Sequence, residues 1–461
     1  MNMGGIRLPP EVIALIISNL SKVDWQHEKK QKVDEWSHLA SYAAVSRQLQ
    51  PYVEAHTFRY VKLTPQRLAE APYVFTPNRL LYMREVNLEF RLPEHDPRQS
   101  RYRYDEYQRV EYNRLFTSFV RASFCFLSNR PWFMAPPMVL YLNAKIPNYE
   151  PGIYHRRYAR ESELPEAGYY LDFHFEDGDN QWLPELPHVT YFRVDDPSMP
   201  ILINPIALIR IALRFPHLRT LWWKLVDYTT STAQKIALRN AIADGIGFLP
   251  SSITDFFFHY TDPEAYDYGP HEPFISWYGA GDKLSLALSS FAQRRGIMFF
   301  DVIGSIEDED FFPPENVELS TLKHFLFGPQ CITPSARWLI VPGVENADED
   351  AMMDDDGSVE SDCLGEYIGR CRSVPDPVFF KNILLRAAQI ALQMPAMEQI
   401  TVQLQEPIMM DVIYNAKLGR LKLMYNHGWV PDQDVLDAWQ YVVNRTLGRQ
   451  YRLDLRCWNE F

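Results

Sequence analysis

Few residues in this 461-residue sequence have the types and spacing that catalysis requires. There is no G-x-S-x-G nucleophile motif, no P-loop, no H-E-x-x-H zinc motif and no Rossmann glycine set. The segment Glu176 to Asn180 has the composition of a calcium loop, but His188 stands where the terminal bidentate glutamate belongs, so a polar turn is the better interpretation. We predict no catalytic centre, no metal and no cofactor, and an unrecognised hydrolase is the weakest hypothesis.

Basic and aromatic residues are mixed between Arg98 and Phe116, as they are in some RNA-binding surfaces. Asp105, Glu106 and Glu111 interrupt this mixture, and apolar residues continue beyond it at helical spacing, so a solvated helix face is the better interpretation. The formal net charge of -13 also opposes binding to a phosphate backbone. We predict no nucleic-acid partner.

The five cysteines show no C-x-x-C spacing, which indicates structural thiols in a reduced intracellular compartment, cytoplasmic or nuclear. No segment approaches the roughly 20 apolar residues that a membrane-spanning helix needs. The polar side of the first helix also lacks the Lys and Arg of a membrane-surface helix. We expect a soluble protein without a membrane partner.

The first elements that could position a binding surface are two amino-terminal helices. The segment LPPEVIALIISNL, from Leu8 to Leu20, predicts a helix with one wide aliphatic face, and Pro10 suits its first turn. A second helical pattern from Ser37 to Val53 would pack on the first, and Pro51 would end or bend it. The aliphatic face of the first helix fits three roles: a core helix, a membrane-surface helix or a docking helix for a partner.

These two segments resemble an F-box, on the residues Leu8-Pro9-x-Glu11-Val12 and Val45-Ser46-Arg47. The sequence departs from the family in the inserted segment Trp25 to Trp36 and in Leu49, where many members carry Trp. F-boxes bind the Skp adaptor of cullin-RING ubiquitin ligases, so the resemblance implies that adaptor and, through it, a cullin as partners. The implied adaptor contacts are Leu8, Pro9, Val12, Ile13, Ile16, Leu20, Leu39, Val45 and Leu49. The alternative is a helical cap that only covers the first strand.

A six-residue pattern, apolar-x-x-apolar-x-apolar, recurs through the rest of the chain and predicts repeated strands. Its copies begin at Met83, Val189, Leu218, Ile253, Ile297, Leu322 and Met397. Leu171, Phe173 and Phe175 predict a further strand. Helical patterns lie between several copies, and Asn204-Pro205 and Asp376-Pro377 are typical helix starts. This alternation predicts an α/β fold with a row of parallel strands and outer helices.

The repeat resembles a degenerate leucine-rich repeat in which aromatic residues replace many leucines. We expect an F-box-like helical module over residues 1–70, an irregular leucine-rich-repeat-like solenoid over 78–410 and a carboxy-terminal cap over 411–461. The acidic segment 344–373 is expected to be a mobile loop inserted in the solenoid. An ordinary α/β domain with alternating strands is the alternative.

Residues between the apolar positions of each strand are predicted to face away from the helices. The predicted outward row is Asn87, Arg193, Trp222, Phe257, Asp301, Leu326 and Thr401, with Lys224, His259 and Gln403 two positions later. Arg193, Trp222, Lys224, Phe257, His259 and Asp301 form the predicted substrate-binding set, unless a loop or the segment Trp429 to Phe461 covers them.

Together, the resemblances predict a substrate receptor of an SCF-type ubiquitin ligase that binds a protein substrate of unknown identity. A non-catalytic interaction scaffold with no ubiquitin role is the second hypothesis.

Overall fold

A computed structural model gives the fold of thirteen segments of the chain. The described residues are 9–23, 47–92, 106–131, 133–145, 169–174, 183–195, 201–227, 231–262, 281–342, 372–404, 410–424, 431–447 and 454–457. Three predicted adaptor contacts, at residues 8, 39 and 45, and the acidic segment apart from its last two residues lie outside them.

The described residues form eleven helices and sixteen strands. The helices are α1 (Pro10–Val23), α2 (Gln50–Thr57), α3 (Pro65–Val74), α4 (Pro77–Tyr82), α5 (Glu106–Ser128), α6 (Pro205–Ala212), α7 (Thr232–Ile246), α8 (Lys283–Ala292), α9 (Asp308–Phe311), α10 (Pro377–Gln393) and α11 (Gln433–Leu447). The strands are β1 (Tyr60–Leu63), β2 (Glu85–Arg91), β3 (Met138–Lys145), β4 (Tyr169–Leu171), β5 (Val189–Asp195), β6 (Ile201–Ile203), β7 (Thr220–Val226), β8 (Asp255–Thr261), β9 (Phe299–Gly304), β10 (His324–Pro329), β11 (Ile340–Pro342), β12 (Arg372–Pro375), β13 (Gln399–Leu404), β14 (Met410–Asn415), β15 (Arg420–Met424) and β16 (Asp454–Cys457).

The main sheet has twelve strands in the order β1-β2-β3-β5-β7-β8-β9-β10-β13-β14-β15-β16. From β1 to β13 every neighbouring pair is parallel. Each later strand of this row pairs with the free edge of the strand before it. β14 is antiparallel to both β13 and β15, and β16 is parallel to β15. The fold is therefore mixed α/β with a largely parallel sheet, as the strand and helix alternation predicts.

The core lies on one face of this sheet. Alternate residues of each central strand are fully buried, such as Leu221 and Trp223 of β7 and Phe256 and Phe258 of β8. They share one apolar cluster with the buried sides of α5, α6, α7, α8, α10 and α11. Strict alternation follows because successive strand residues point to opposite faces. The second face is left to polar and aromatic residues.

Two predicted helix starts are capped as their sequences indicate. The Asn204 side chain accepts a hydrogen bond from the Ile206 amide at 2.9 Å, and Asp376 accepts bonds from the amides of Val378 and Phe379 at 2.9 Å each. Each cap is followed by a proline in the first turn, where its missing N–H costs nothing.

The structure corrects several predictions. Pro51 opens α2 rather than ending a helix, since a proline is accommodated in the first turn. The strand predicted at Leu171 exists as β4, but it ends there, before Phe173, and it pairs with β6 in a separate two-stranded sheet; residue 175 lies outside the described residues. β1 already belongs to the main sheet, so the sheet begins inside the expected 1–70 module. The segment expected as a carboxy-terminal cap contributes β14, β15 and β16 to the same sheet.

A buried histidine lies near the amino-terminal end of β5. His188 is 5% exposed, and neither of its ring nitrogens has a hydrogen-bond partner among the described residues. Burial lowers its pKa to about 4, and the nearby Arg130 charge acts in the same direction. Arg130 itself is buried and donates hydrogen bonds to the carbonyls of Leu80 at 3.0 Å and Met83 at 2.6 Å.

We expect His188 to make the protein sensitive to acid. The pKa of His188 is lower in the folded state than in the unfolded chain. The contribution of the neutral His188 side chain to stability is therefore complete above about pH 6.5 and is lost as the pH falls to about 4. The loss is roughly 3 kcal/mol over that interval. Urea unfolding at several pH values should show a shallower pH dependence in His188→Leu than in the wild type. Equal slopes for the two proteins would contradict the prediction.

Candidate functional site

The second face of the main sheet carries a continuous row of side chains. Ladder register pairs Arg193 with Trp222, Trp222 with Phe257 and Phe257 with Asp301. It then pairs Asp301 with Leu326 and Leu326 with Thr401. The same row reaches Asn87 through Tyr141 of β3. The seven residues predicted to face outward therefore lie in one row across eight neighbouring strands, with Tyr141 between Asn87 and Arg193.

Most residues of this row are partly exposed, unlike their neighbours on the core side. Arg193, Trp222, Phe257 and Asp301 all keep intermediate exposure, whereas Thr401 is 7% exposed. Lys224 and His259, two positions later on β7 and β8, are also partly exposed. We call the surface formed by Arg193, Trp222, Lys224, Phe257, His259 and Asp301 the central patch.

Aromatic stacking organises the central patch. The rings of Trp222 and Phe257 stack with their centroids 4.5 Å apart and an interplanar angle of 26°. The Arg193 guanidinium lies 4.8 Å from the centre of the Trp222 ring, within cation–π range. His259 lies 5.9 Å from the same indole ring in a tilted arrangement. Stacked rings that hold one another in place form a rigid platform, which lowers the entropy cost of binding.

The central patch also contains polar atoms without hydrogen-bond partners among the described residues. They are Trp222 Nε1, His259 Nε2 and Asp301 Oδ1, together with Oδ1 of the adjoining Asp255. His259 Nε2 and Asp301 Oδ1 are 3.4 Å apart, and their side chains are 16% and 19% exposed. Shielded polar atoms normally have partners, so their concentration on three neighbouring strands marks this patch as a candidate binding site.

A small cavity borders the patch at the carboxyl ends of β3, β5 and β7. Asn143, Tyr170 and Lys224 contribute its polar groups, and its volume of about 30 Å³ suits a single water molecule. We assign no ligand to it.

Buried ion pairs fix the segments that leave β8 and β9 next to the central patch. Lys235 on α7 pairs with Asp262 at 2.9 Å, and Arg239, one turn later, pairs with Asp282 at 2.5 Å. Arg239 also donates a hydrogen bond to the Ser305 carbonyl at 2.9 Å. All four charged side chains are at most 6% exposed. These contacts hold the ends of the strands in place.

The pKa shifts in this region follow from burial and charge. Burial alone would raise the pKa of Asp282, but the charge of Arg239 and its hydrogen bonds outweigh burial and lower it. Burial raises the pKa of Tyr260 well above its usual value, and the neighbouring Asp227 carboxylate, which accepts the Tyr260 hydroxyl hydrogen bond, adds to this effect. Tyr260 therefore stays neutral and serves as a hydrogen-bond donor.

A second candidate surface lies on α1. Val12, Leu15 and Ile16 are 40%, 61% and 41% exposed, although each is aliphatic. The opposite side of the helix buries Ile13 and Ile17 against Val53 of α2, with Leu49 and Tyr52 packed around them. Exposed aliphatic side chains grouped on one helix face are typical of a protein-interaction site.

The predicted adaptor contacts are divided between these two sides. Pro9, Val12 and Ile16 are exposed, whereas Leu49 is partly buried within the small cluster. Ile13 was expected to touch the adaptor, but it is 1% exposed because it holds α1 onto α2, so it does not belong to the exposed surface. Leu20 lies on α1, and its side chain is outside the described part of the chain.

Contacts between α2 and α4 attach this helical pair to the sheet. Arg79 pairs with Glu54 at 2.7 Å and lies 4.9 Å from the centre of the Phe58 ring. The hydrogen bond from Arg79 lowers the pKa of Glu54, which therefore keeps its charge. Phe58 in turn packs edge-to-face on Phe75 at 5.3 Å. The α1 surface is thus tied to the first edge of the sheet.

Sequence reasoning missed two members of the sheet face. Tyr141 was missed because β3 lacks the six-residue pattern, although the strict alternation of MVLYLNAK was available as a signal. Asp255 was missed because it precedes the apolar core of β8, and the signal was its position two residues before Phe257.

Comparisons with family models, curated proteins and solved structures find no match to this chain. Among the described residues no group of three or more His, Cys, Asp or Glu could hold a metal ion, and no helix combines the length and apolarity needed to cross a membrane. The two candidate surfaces are the exposed side of α1 and the central patch of the sheet.

Proposed function

We propose that this chain is the substrate-receptor subunit of an SCF-type cullin-RING ubiquitin ligase. In this proposal α1 binds the Skp adaptor, which links the chain to a cullin, and the sheet face binds a protein substrate. The exposed aliphatic surface of α1 is the observation that carries the proposal, since among the described residues Val12, Leu15 and Ile16 lie outside the cluster that packs α1 on α2. The F-box resemblance of the same segment supplies the identity of the partner.

The sheet supports the second half of the proposal. Nine parallel strands follow one another in chain order, an arrangement expected of a leucine-rich-repeat-like solenoid. The central patch offers partly exposed aromatic and charged side chains on one side of that row. Aromatic and arginine side chains are the types most enriched at the energetic centres of protein interfaces.

An interaction scaffold without a ubiquitin role remains the second candidate. The intramolecular packing of Ile13 and Ile17 on Val53 favours it, because a purely structural cap needs that packing and nothing more. The two candidates differ in whether the exposed side of α1 has a partner.

Purified protein should bind the purified adaptor. The double variant Val12→Glu and Ile16→Glu should weaken this binding by roughly 2 kcal/mol or more, because it places charges in an apolar interface. Binding can be measured by titration calorimetry. Leu418→Glu is the matched control, because Leu418 is 61% exposed in the turn between β14 and β15.

Point variants are preferable to deletion of residues 1–63, which would also remove β1 from the edge of the sheet. The proposal fails if the wild-type protein does not bind the adaptor, or if the double variant binds it as well as the control does.

A further inference from the structure

We propose that the central patch recognises an extended peptide segment carrying a lysine or arginine, whose side chain lies along Phe257 and whose charge pairs with Asp301. This inference rests on the substrate-binding half of the proposed function and adds the chemical class of the substrate.

Two carboxylates at the central patch, Asp301 and Asp255, are incompletely paired. Among the described residues Asp301 Oδ1 has no hydrogen-bond partner, and its neighbour His259, 3.4 Å away, is a cation only when protonated. Asp255 accepts hydrogen bonds at Oδ2 from Thr220 and Thr254, at 3.0 and 3.2 Å, whereas its Oδ1 has no partner within the described segments. Within the described part of the chain, neither carboxylate forms an ion pair with a lysine or arginine. A cation supplied by a partner would complete the charge balance.

The order of residues along the row also suits a lysine or arginine side chain. Asp301 lies between Phe257 and Leu326 in the ladder register. The row therefore presents one acidic position flanked by two apolar ones. Lysine and arginine match this order, because they cover apolar surface with their methylene groups and place the charge at the tip.

The central patch already holds one cation, Arg193, against an aromatic ring. The Arg193 guanidinium lies over Trp222, one ring of the stacked pair, 4.8 Å from the centre of that ring. Phe257 is the second ring of the same pair, and it adjoins Asp301 on its other side. A cation beside Phe257 would gain both the ring interaction and the carboxylate.

The remaining polar atoms favour a peptide over a free cation. In the part of the chain that the structure describes, Trp222 Nε1 is a donor without a partner, and Asp255 Oδ1 is an acceptor without a partner. A peptide main chain carries a carbonyl and an amide group that match these two atoms. The rival occupant is an acidic peptide bound by Arg193 and Lys224. The geometry favours it less, because Arg193 is engaged with Trp222 and the chain as a whole carries a formal charge of -13.

The test uses fluorescence anisotropy with the full-length protein and short labelled peptides of leucine, glycine and serine. Three sets differ only in their central residues, which are arginine, glutamine or glutamate. We expect the arginine set to bind most tightly and to weaken with added salt. Asp301→Asn should weaken the arginine set roughly tenfold and leave the glutamine set unchanged. Asp244→Asn is the control, since Asp244 is a 63% exposed carboxylate on α7.

Three results would overturn the inference: unchanged binding of the arginine set to Asp301→Asn, tighter binding of the glutamate set, or no binding of any set. Thermal unfolding of each variant checks that the fold is intact. Adaptor binding is measured separately and involves α1. Failure with the peptides alone removes this inference, whereas failure with the adaptor alone removes the ubiquitin role.

Discussion

Replacing Arg239 with methionine is expected to lower the free energy of unfolding by roughly 3–5 kcal/mol. Arg239 and Asp282 are each 3% exposed and are joined by two hydrogen bonds, at 3.1 and 2.5 Å. Removing the guanidinium leaves the Asp282 carboxylate buried without its counter-charge. It also removes the donor to the Ser305 carbonyl, so the segment after β9 loses its attachment to α7.

A second ion pair between the same two helices provides the control. Asp244 on α7 and Lys283 on α8 are 2.6 Å apart, but their side chains are 63% and 52% exposed. Lys283→Met should change stability by less than roughly 1 kcal/mol, since solvent screens an exposed pair. The comparison isolates the effect of burial on chemically similar pairs.

A rescue variant identifies the cause of the loss. In the double variant Arg239→Met with Asp282→Ser, serine can still cap α8 through the Ser285 amide, but the buried charge is gone. We expect part of the lost stability to return, measured by urea unfolding. If the double variant is less stable than Arg239→Met alone, the unpaired carboxylate is not the source of the destabilisation.

Replacing Trp222 and Phe257 together with alanine should abolish capture of the substrate, a loss of roughly 3 kcal/mol or more. The two rings form the platform of the central patch and lie on the face opposite the apolar core. Because both are partly exposed, the free energy of unfolding should fall by only about 1–2 kcal/mol. Quantitative mass spectrometry of the proteins that co-purify with each variant measures the effect.

The matched control lies on the same strand. Phe258 follows Phe257 in β8, points into the core and is 0% exposed. Phe258→Ala should cost roughly 3–5 kcal/mol of stability, because it opens a cavity. A comparable loss of stability in the Trp222 and Phe257 variant would place these rings in the structural core and contradict their assignment to a binding surface.

The strand row could be predicted from the sequence because its cause is local. Each copy of the six-residue pattern places alternate apolar residues toward the helices, so the outward positions Trp222, Phe257 and Asp301 follow from period two alone. They align into one row because the ladders pair the same position of the pattern in neighbouring copies. β1 was missed because four residues are too few to show a period.

The buried ion pair beside the central patch could not be predicted from strand periodicity. Arg239 and Asp282 are 43 residues apart, and their pairing depends on how α7 packs beside α8. The orientation of α1 was also undetermined, since its apolar face is wide enough for either Ile13 or Ile16 to turn inward. Packing against Val53 selects Ile13 and Ile17, and it leaves Val12 and Ile16 at the surface.

The most direct test of the proposed receptor is the recovery of adaptor and cullin with the full-length protein from cells, with the Val12→Glu and Ile16→Glu variant in parallel. We predict that the wild-type protein recovers both, that the variant loses both together, and that the variant still recovers proteins bound through the central patch. Recovery of such proteins by the wild type without either adaptor or cullin would contradict the proposal and identify the chain as a scaffold.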